Sequence, residues 1–189
     1  WGPREPLMAL DEMTVLVVGL GAIGRATATK LTALGVNVVG IHRREVAADV
    51  ARIAHVDQLA AEAAGADAIV LALPGTDATV GMLSADVLAA VKPGITIVNV
   101  GRGSTTDEPA LIEALQDGRV GLAVLDVTAV EPLPEDHILW DLPNVILAPH
   151  TAAISPHEPR RIAELFADNA RRFLAGEPMR NVVDTREFY

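Results

Sequence analysis

Three polar residues that could move a proton or grip an anion stand where an apolar chain has no structural need of them. Arg102 lies between two glycines in Asn99-Val100-Gly101-Arg102-Gly103, just after an apolar run; Glu131 sits between Val130 and Pro132; His150 follows Ala148-Pro149. A helix start after Gly103 would need only Ser104 or Thr105 as its cap. An imidazole gives and takes a proton near neutral pH. A carboxylate beside it orients the ring and favours the protonated form, and a guanidinium holds oxygens on which negative charge develops. A fourth polar residue, Asp126, ends the apolar run Leu122 to Leu125.

Such residues need a scaffold, and the scaffold starts at Thr14 to Gly24, TVLVVGLGAIG. Val15 to Val18 are apolar and β-branched enough for a central parallel strand covered on both faces. Gly19, Gly21 and Gly24 follow in the GxGxxG spacing: the first permits a tight bend, the second lets a pyrophosphate reach the backbone, and the third lets the next helix pack on the strand. That helix begins near Ala22 and Ile23 and turns its free N–H groups toward the phosphates. In NAD-binding folds an acid about 20 positions further on holds the ribose hydroxyls, whereas an arginine accommodates a 2′-phosphate. Here the second strand ends Gly40-Ile41-His42-Arg43-Arg44, with His42 in the acid's place, so NADP is expected in preference to NAD. Glu45 comes one step past the arginines.

The rest of the chain alternates in the same style. Strands are expected over 14–18, 36–41, 68–73, 95–100, 120–127 and 145–147, and helices over 22–34, around 56–64, and over 84–90 and 109–116. The fold class this implies is α/β, a Rossmann-type doubly wound parallel sheet in three layers, with ligand chemistry at the carboxyl ends of the strands. An amphipathic helix over 159–174 follows, ended by Gly176, and the tail from Glu177 has no evident partner in the chain.

Composition narrows the function classes. The chain has 189 residues, half of them apolar, and no cysteine, which removes disulfides, thiolate catalysis and zinc–cysteine sites. Fifteen Lys and Arg against 25 Asp and Glu give a formal charge of −10, which disfavours nucleic acid and anionic membrane as partners. No apolar run has the length of a membrane span, nor does the N-terminus read as a signal peptide, so a soluble cytoplasmic protein without a metal is expected.

Taken in order, the GLGAIGR turn, Leu73-Pro74 with Thr76 and Thr79, NVGRG with Asp107-Glu108 and Ala110-Leu111, LDVTAVEPLP, APHTAA, and the tail Asn181 to Asp184 resemble the D-isomer-specific 2-hydroxyacid dehydrogenases. The resemblance covers nearly the whole chain. It implies a catalytic set of Arg102, Glu131 and His150, which lie 29 and 19 residues apart, and an Asp126 that holds the nicotinamide carboxamide. It also implies cofactor contacts from Gly19, Gly21, Ala22, Ile23, Gly24, His42, Arg43, Arg44, Leu73, Pro74, Thr79, Val100, Gly101, Arg102, Asp126 and His150. The activity implied is hydride transfer between NADP(H) or NAD(H) and a small 2-keto or D-2-hydroxy acid. Glyoxylate and hydroxypyruvate reductases are favoured over phosphoglycerate dehydrogenases. Thr128 departs from the pattern, since many relatives carry an aromatic there.

Members of that family have two domains, and the chain opens about where it would leave the first. The expected organisation is therefore 1–12 as a linker from a substrate domain, 13–154 as the dinucleotide-binding domain, and 155–189 as a C-terminal helix and tail that return to the absent domain. Cofactor binding with little or no turnover is expected of the chain by itself. No regulatory domain is expected after Tyr189. The family resemblance extends to corepressors that sense NAD(H), which stand as the alternative to an enzyme. Relatives are usually homodimers, for which Asp126 to Leu142, with Leu133, Ile138, Leu139 and Trp140, offers an interface, or else packs within the subunit. His55, His137 and His157 are expected to be structural or exposed.

Overall fold

In the computed structural model the strand β1 (Thr14–Val18) is an interior strand, third from one edge, of a seven-stranded parallel sheet. Its side chains alternate between two cores: Leu16 and Val18 join one cluster, Val15 and Val17 another, and none is more than 4% exposed. A strand buried on both faces needs this unbroken apolar run, so the period of 2 here separates one core from the other instead of core from water. The structure describes residues 8–44, 46–48 and 50–185; residues 1–7 of the expected linker, and Glu45, lie outside them.

The remaining strands are β2 (Asn37–His42), β3 (Arg52–His55), β4 (Ala68–Leu71), β5 (Ile95–Asn99), β6 (Val120–Leu125) and β7 (Val145–Leu147). They are ordered β3-β2-β1-β4-β5-β6-β7, so the winding reverses between β1 and β4. On one face α2 (Leu59–Ala63), α3 (Ala85–Ala90) and α4 (Glu108–Gln116) bury Leu59, Val87, Leu88, Leu111 and Leu115 in the larger core. On the other, α1 (Ala22–Ala33) and the β2–β3 connection bring Ala28, Leu31, Val46 and Val50 against Val15, Val17 and Val38. This is the expected three-layer architecture. Ser84 accepts from the Val87 N–H to start α3 and Asp107 accepts from Ala110 to start α4, which fixes where each helix leaves its loop.

The sequence expectation missed β3. Its four residues run Arg52, Ile53, Ala54, His55, with both polar ends exposed, and they follow an Ala- and Val-rich stretch that looks helical. A short edge strand with charged ends is how a sheet blunts an open edge, and it leaves almost no periodic signal. The expected 56–64 helix is a 3-10 turn, Val56–Gln58, running into α2.

The chain divides into two units, Trp1–Pro149 and His150–Tyr189. The second is built on α5 (Glu158–Ala175), closed by Gly176 at φ 68°. Its tail does have a partner in the chain, contrary to the sequence expectation. Asn169 both accepts from the Arg180 N–H and donates to the Arg180 carbonyl, while Arg172 and Arg180 reach Asp168. Arg172, hydrogen-bonded to Asp168, holds that carboxyl below its usual range against the opposing effect of burial, helped by its own charge and those of Arg171 and Arg180. Among the described residues no helix is long and apolar enough to cross a membrane, and no three His, Asp or Glu side chains gather as a metal site.

Candidate functional site

The sheet register aligns four of the candidate residues, Gly19, His42, Val100 and Asp126. Ile41 pairs with Val18, Val18 with Leu71, Leu71 with Asn99, Asn99 with Leu125 and Leu125 with Leu147. The next residue of each strand therefore falls at one level: His42, Gly19, Ala72, Val100, Asp126 and Ala148. Bonds from Gly19 N to Ile41 O (3.0 Å), Ala72 N to Val18 O (2.9 Å), Val100 N to Leu71 O (3.1 Å) and Asp126 N to Asn99 O (3.0 Å) carry the ladder that far. Segments scattered over 130 residues of sequence thus open together at the carboxyl end, beside the point where the winding reverses, which is where open α/β sheets take ligands.

The three glycines of the first turn have three different surroundings. Gly19 bends at φ 94°, and a methyl there would lie 2.7 Å from the Ala72 carbonyl. At Gly24, buried in the first turns of α1, a methyl would come within 1.8 Å of the Gly19 carbonyl, so only glycine lets helix and strand meet. A methyl at Gly21 would touch nothing within 4 Å. Gly21 caps α1, and with Ala22 and Ile23 it is exposed. Two glycines are thus required by the protein itself, and the third borders open space.

Beyond β2, His42 accepts the Arg44 N–H on Nδ1 at 3.1 Å, and Arg43 and Arg44 are exposed. A cavity of about 500 Å³ opens here, lined among others by His42, Arg44, Arg52 and His55. Two of these four nitrogen-bearing side chains come from β3, the strand that sequence reasoning missed. Arg52 pairs side-on with both oxygens of Glu62. That hydrogen bond, more than burial opposes it, keeps the Glu62 carboxyl below its ordinary range.

After β4, the Thr79 hydroxyl donates to the Pro74 carbonyl (2.6 Å) and accepts the Thr76 N–H (2.9 Å), which closes the turn containing Leu73 and Pro74. After β5 the loop folds around Asn99, which is 1% exposed. Its Oδ1 accepts from Gly101 N at 2.9 Å; its Nδ2 reaches the Arg102 carbonyl and the Thr105 and Thr106 hydroxyls at 3.2–3.3 Å. Thr105 closes the ring by donating to the Arg102 carbonyl at 2.6 Å. Arg102 is thereby raised on a buried polar plug, exposed, with Nη1 on the Gly101 carbonyl at 2.7 Å. After β6, Asp126 is buried at 8% exposure and Glu131 is exposed, its Oε1 accepting from Thr128 N at 3.1 Å. The two loops touch at Gly103, where a methyl would lie 1.9 Å from the Thr128 carbonyl.

His150 opens the second unit and is exposed. It takes φ 54°, in the left-handed region that few side-chain-bearing residues visit. His137, expected to be structural or exposed, is half-buried with Nδ1 accepting from Leu139 N, while His55 is exposed beside Asp57. Within 126–142, Leu139 is buried in the core and Leu133 and Leu142 pack on it, whereas Ile138 and Trp140 face outward. Asn99, Thr105, Thr106, Arg52 and His55 were not anticipated from sequence. For Asn99 the signal was present, an amide at the end of an apolar run just before the glycines; for Arg52 and His55 it was not.

A doubly wound parallel sheet with a GxGxxG turn at its winding reversal, and a basic-lined cavity beside the second strand, defines a dinucleotide-binding domain of the Rossmann class. The chain belongs to the family described as D-isomer specific 2-hydroxyacid dehydrogenase, NAD binding domain, whose sequence profile matches residues 1–152. It is 36% identical over 185 residues to glyoxylate/hydroxypyruvate reductase A of Serratia proteamaculans, covering 97% of this chain and 58% of that protein. Among solved structures, a D-isomer specific 2-hydroxyacid dehydrogenase from Xanthobacter autotrophicus, in complex with NADPH and MES, superposes with a TM-score of 0.91 at 39% identity. That match spans all of this chain and 77% of the other. An NADPH-dependent glyoxylate/hydroxypyruvate reductase from Sinorhizobium meliloti, in complex with NADP and sulfate, also gives 0.91, at 32% identity over all of this chain and 60% of its own.

Proposed function

We propose that this chain is the cofactor-binding part of an NADP-preferring reductase that interconverts small 2-keto acids and D-2-hydroxy acids, of the glyoxylate and hydroxypyruvate type. The alignment of Gly19, His42, Val100 and Asp126 at one level of the sheet is the observation that carries this proposal. Relatives named for that activity, and neighbours bound to NADPH or NADP, agree with it. The residues suit the cofactor: open space at Gly21 leaves room for a pyrophosphate at the start of α1, and His42, Arg43 and Arg44 offer positive charge to a 2′-phosphate.

In this assignment Gly21, Ala22 and Ile23 hold the pyrophosphate, Leu73, Pro74, Thr79, Val100 and Gly101 border the cofactor, and Asp126 binds the carboxamide. Bound NADPH supplies the hydride. Arg102 grips the carboxylate and carbonyl oxygens of the keto acid and stabilises charge developing on the latter. His150 donates the proton that the nascent alkoxide needs, and Glu131 favours the protonated imidazole. The left-handed backbone at His150 fits such a role, because uncommon dihedrals are retained where surroundings enforce them.

Titration of the chain with NADPH and NADH at equal ionic strength, followed by cofactor fluorescence, tests the cofactor assignment. Removing a charged partner of a 2′-phosphate by Arg43→Ala or Arg44→Ala should weaken NADPH binding about tenfold or more and leave NADH binding unchanged. Equal affinity for the two cofactors in the unsubstituted chain would overturn the NADP preference. Negligible turnover by the full-length protein over a panel of small keto acids would overturn the reductase and favour a dinucleotide sensor.

A further inference from the structure

Glu131 is exposed and rides on an irregular segment after β6, yet a carboxylate that must orient an imidazole has to be held in place. Part of the restraint is local. Thr128 N donates to Glu131 Oε1 at 3.1 Å, and the Thr128 hydroxyl donates to the Val130 carbonyl at 2.8 Å. Both bonds lie within the turn itself.

A restraint from outside the turn comes from Glu108, the first residue of α4, which is 21 residues away in sequence from Ala129. Its Oε2 accepts the Ala129 N–H at 2.9 Å, two residues before Glu131. Its other oxygen, Oε1, lies 3.4 Å from His137 Nε2. His137 Nδ1 accepts the Leu139 N–H, which leaves Nε2, the ring nitrogen near Glu108, to carry the proton of the neutral tautomer. Leu139 in turn is 1% exposed and fixed in the larger core. One carboxylate thus grips the Glu131 segment in its middle and at its far end, and Asp126 N on the Asn99 carbonyl fixes the near end. The Glu108 side chain is only 14% exposed, and an acid in the first turn of α4 is favoured by the helix dipole.

We infer, on the catalytic role proposed above for Glu131, that Glu108 is a positioning residue of the same reaction: it sets the place of the Glu131 carboxylate by holding the Ala129 N–H and the His137 ring. A residue that acts only through another leaves a signature that general destabilisation does not. Its substitution costs rate when the second residue is intact and little when the second is already gone.

The test is a double-mutant cycle in the full-length protein, with kcat for glyoxylate and the Kd for NADPH measured for each variant. Glu131→Gln should lower kcat strongly. Glu108→Ala should lower it about tenfold to a hundredfold, the order that misplacement by about 1 Å costs, with the NADPH Kd unchanged. In the Glu131→Gln background the same substitution should cost less than about twofold. Glu108→Gln keeps an acceptor for Ala129 N and should restore most of the rate. Should Glu108→Ala fail to fold, Glu108→Asp keeps the charge but withdraws the acceptor by one methylene, and should show the same non-additivity. An equal cost of the Glu108 substitution in both backgrounds, or none in either, would overturn the inference and leave Glu131 standing. Unchanged kcat in Glu131→Gln alone would overturn the catalytic role of Glu131 itself.

Discussion

At the carboxyl end of the sheet the polar groups are presented by loops, several of them exposed, on backbone that only glycine allows; at the amino end they bond to one another and to the backbone, and tie strands and turns together. Asp67, just before β4, accepts the Thr14 N–H of β1 at 2.8 Å and pairs with Lys92, which leads into β5. Asn144, just before β7, donates to the Leu115 and Val120 carbonyls at 3.1 and 3.2 Å. Asp117 closes the turn into β6 by accepting from Arg119 N and Nε. Each of these contacts is made within the protein. At the other end the contacts of Asn99 and Glu108 hold up side chains, Arg102 and Glu131, that point away from the core. One end of the sheet secures the fold, and the other spends stability to display chemistry.

Substitutions at the carboxyl end can break or sharpen that division, because stability and display come apart there. Gly24→Ala should have the largest effect. Its methyl would meet the Gly19 carbonyl at 1.8 Å, backbone against backbone, so the helix must move, at a cost of about 3 kcal/mol or more in urea unfolding. Gly21→Ala meets nothing, so its unfolding midpoint should stay near that of the unsubstituted chain while NADPH affinity falls at least about tenfold. Equal destabilisation by the two would show that the turn is a packing device alone. Next in size, Asn99→Ala would strip the buried partners of Gly101 N, Thr105 and Thr106 at once, an expected loss of about 2–4 kcal/mol by denaturant titration. A loss below about 0.5 kcal/mol would mean that water replaces the amide without difficulty.

Legibility in the sequence follows the same division. The β1 run, the glycine turn, the alternation of strands and helices apart from β3, and the place of Arg102 and Asp126 just after strands could all be read in advance. In each case the residue type is imposed by a local requirement: two-sided burial at Val15 to Val18, the left-handed bend at Gly19, helix packing at Gly24. What could not be read depends on partners distant in sequence. Nothing around Glu108 announces that it will meet Ala129 and His137, and nothing around Arg52 announces that it will line a cavity with His42. The edge strand β3 was missed because four residues with only Ala54 buried leave no period to detect, and the tail contact of Arg180 with Asn169 because a single amide carries no pattern. His150 was singled out by its neighbours in sequence, but its left-handed backbone is visible only in three dimensions.

The smallest of these effects concerns the amino end and turns on proton linkage. Burial pushes the Asp67 carboxyl up, but the Lys92 hydrogen bond, the Thr14 N–H and the Lys92 charge together hold it below its usual range. A carboxyl whose folded pKa is lower than its unfolded one adds stability while it is ionised in both states, and that increment vanishes as pH falls through the folded value. Asp67→Asn should therefore cost about 1–2 kcal/mol above about pH 5, where the unfolded carboxyl is fully charged. The difference between the two proteins should shrink as pH drops below about 4, because only the unsubstituted chain then takes up the proton. Parallel urea titrations from neutral to acid pH would measure it. A gap that stays constant over that range would mean that Asp67 acts through packing alone, and that neither the Thr14 bond nor the pairing with Lys92 favours its charged form.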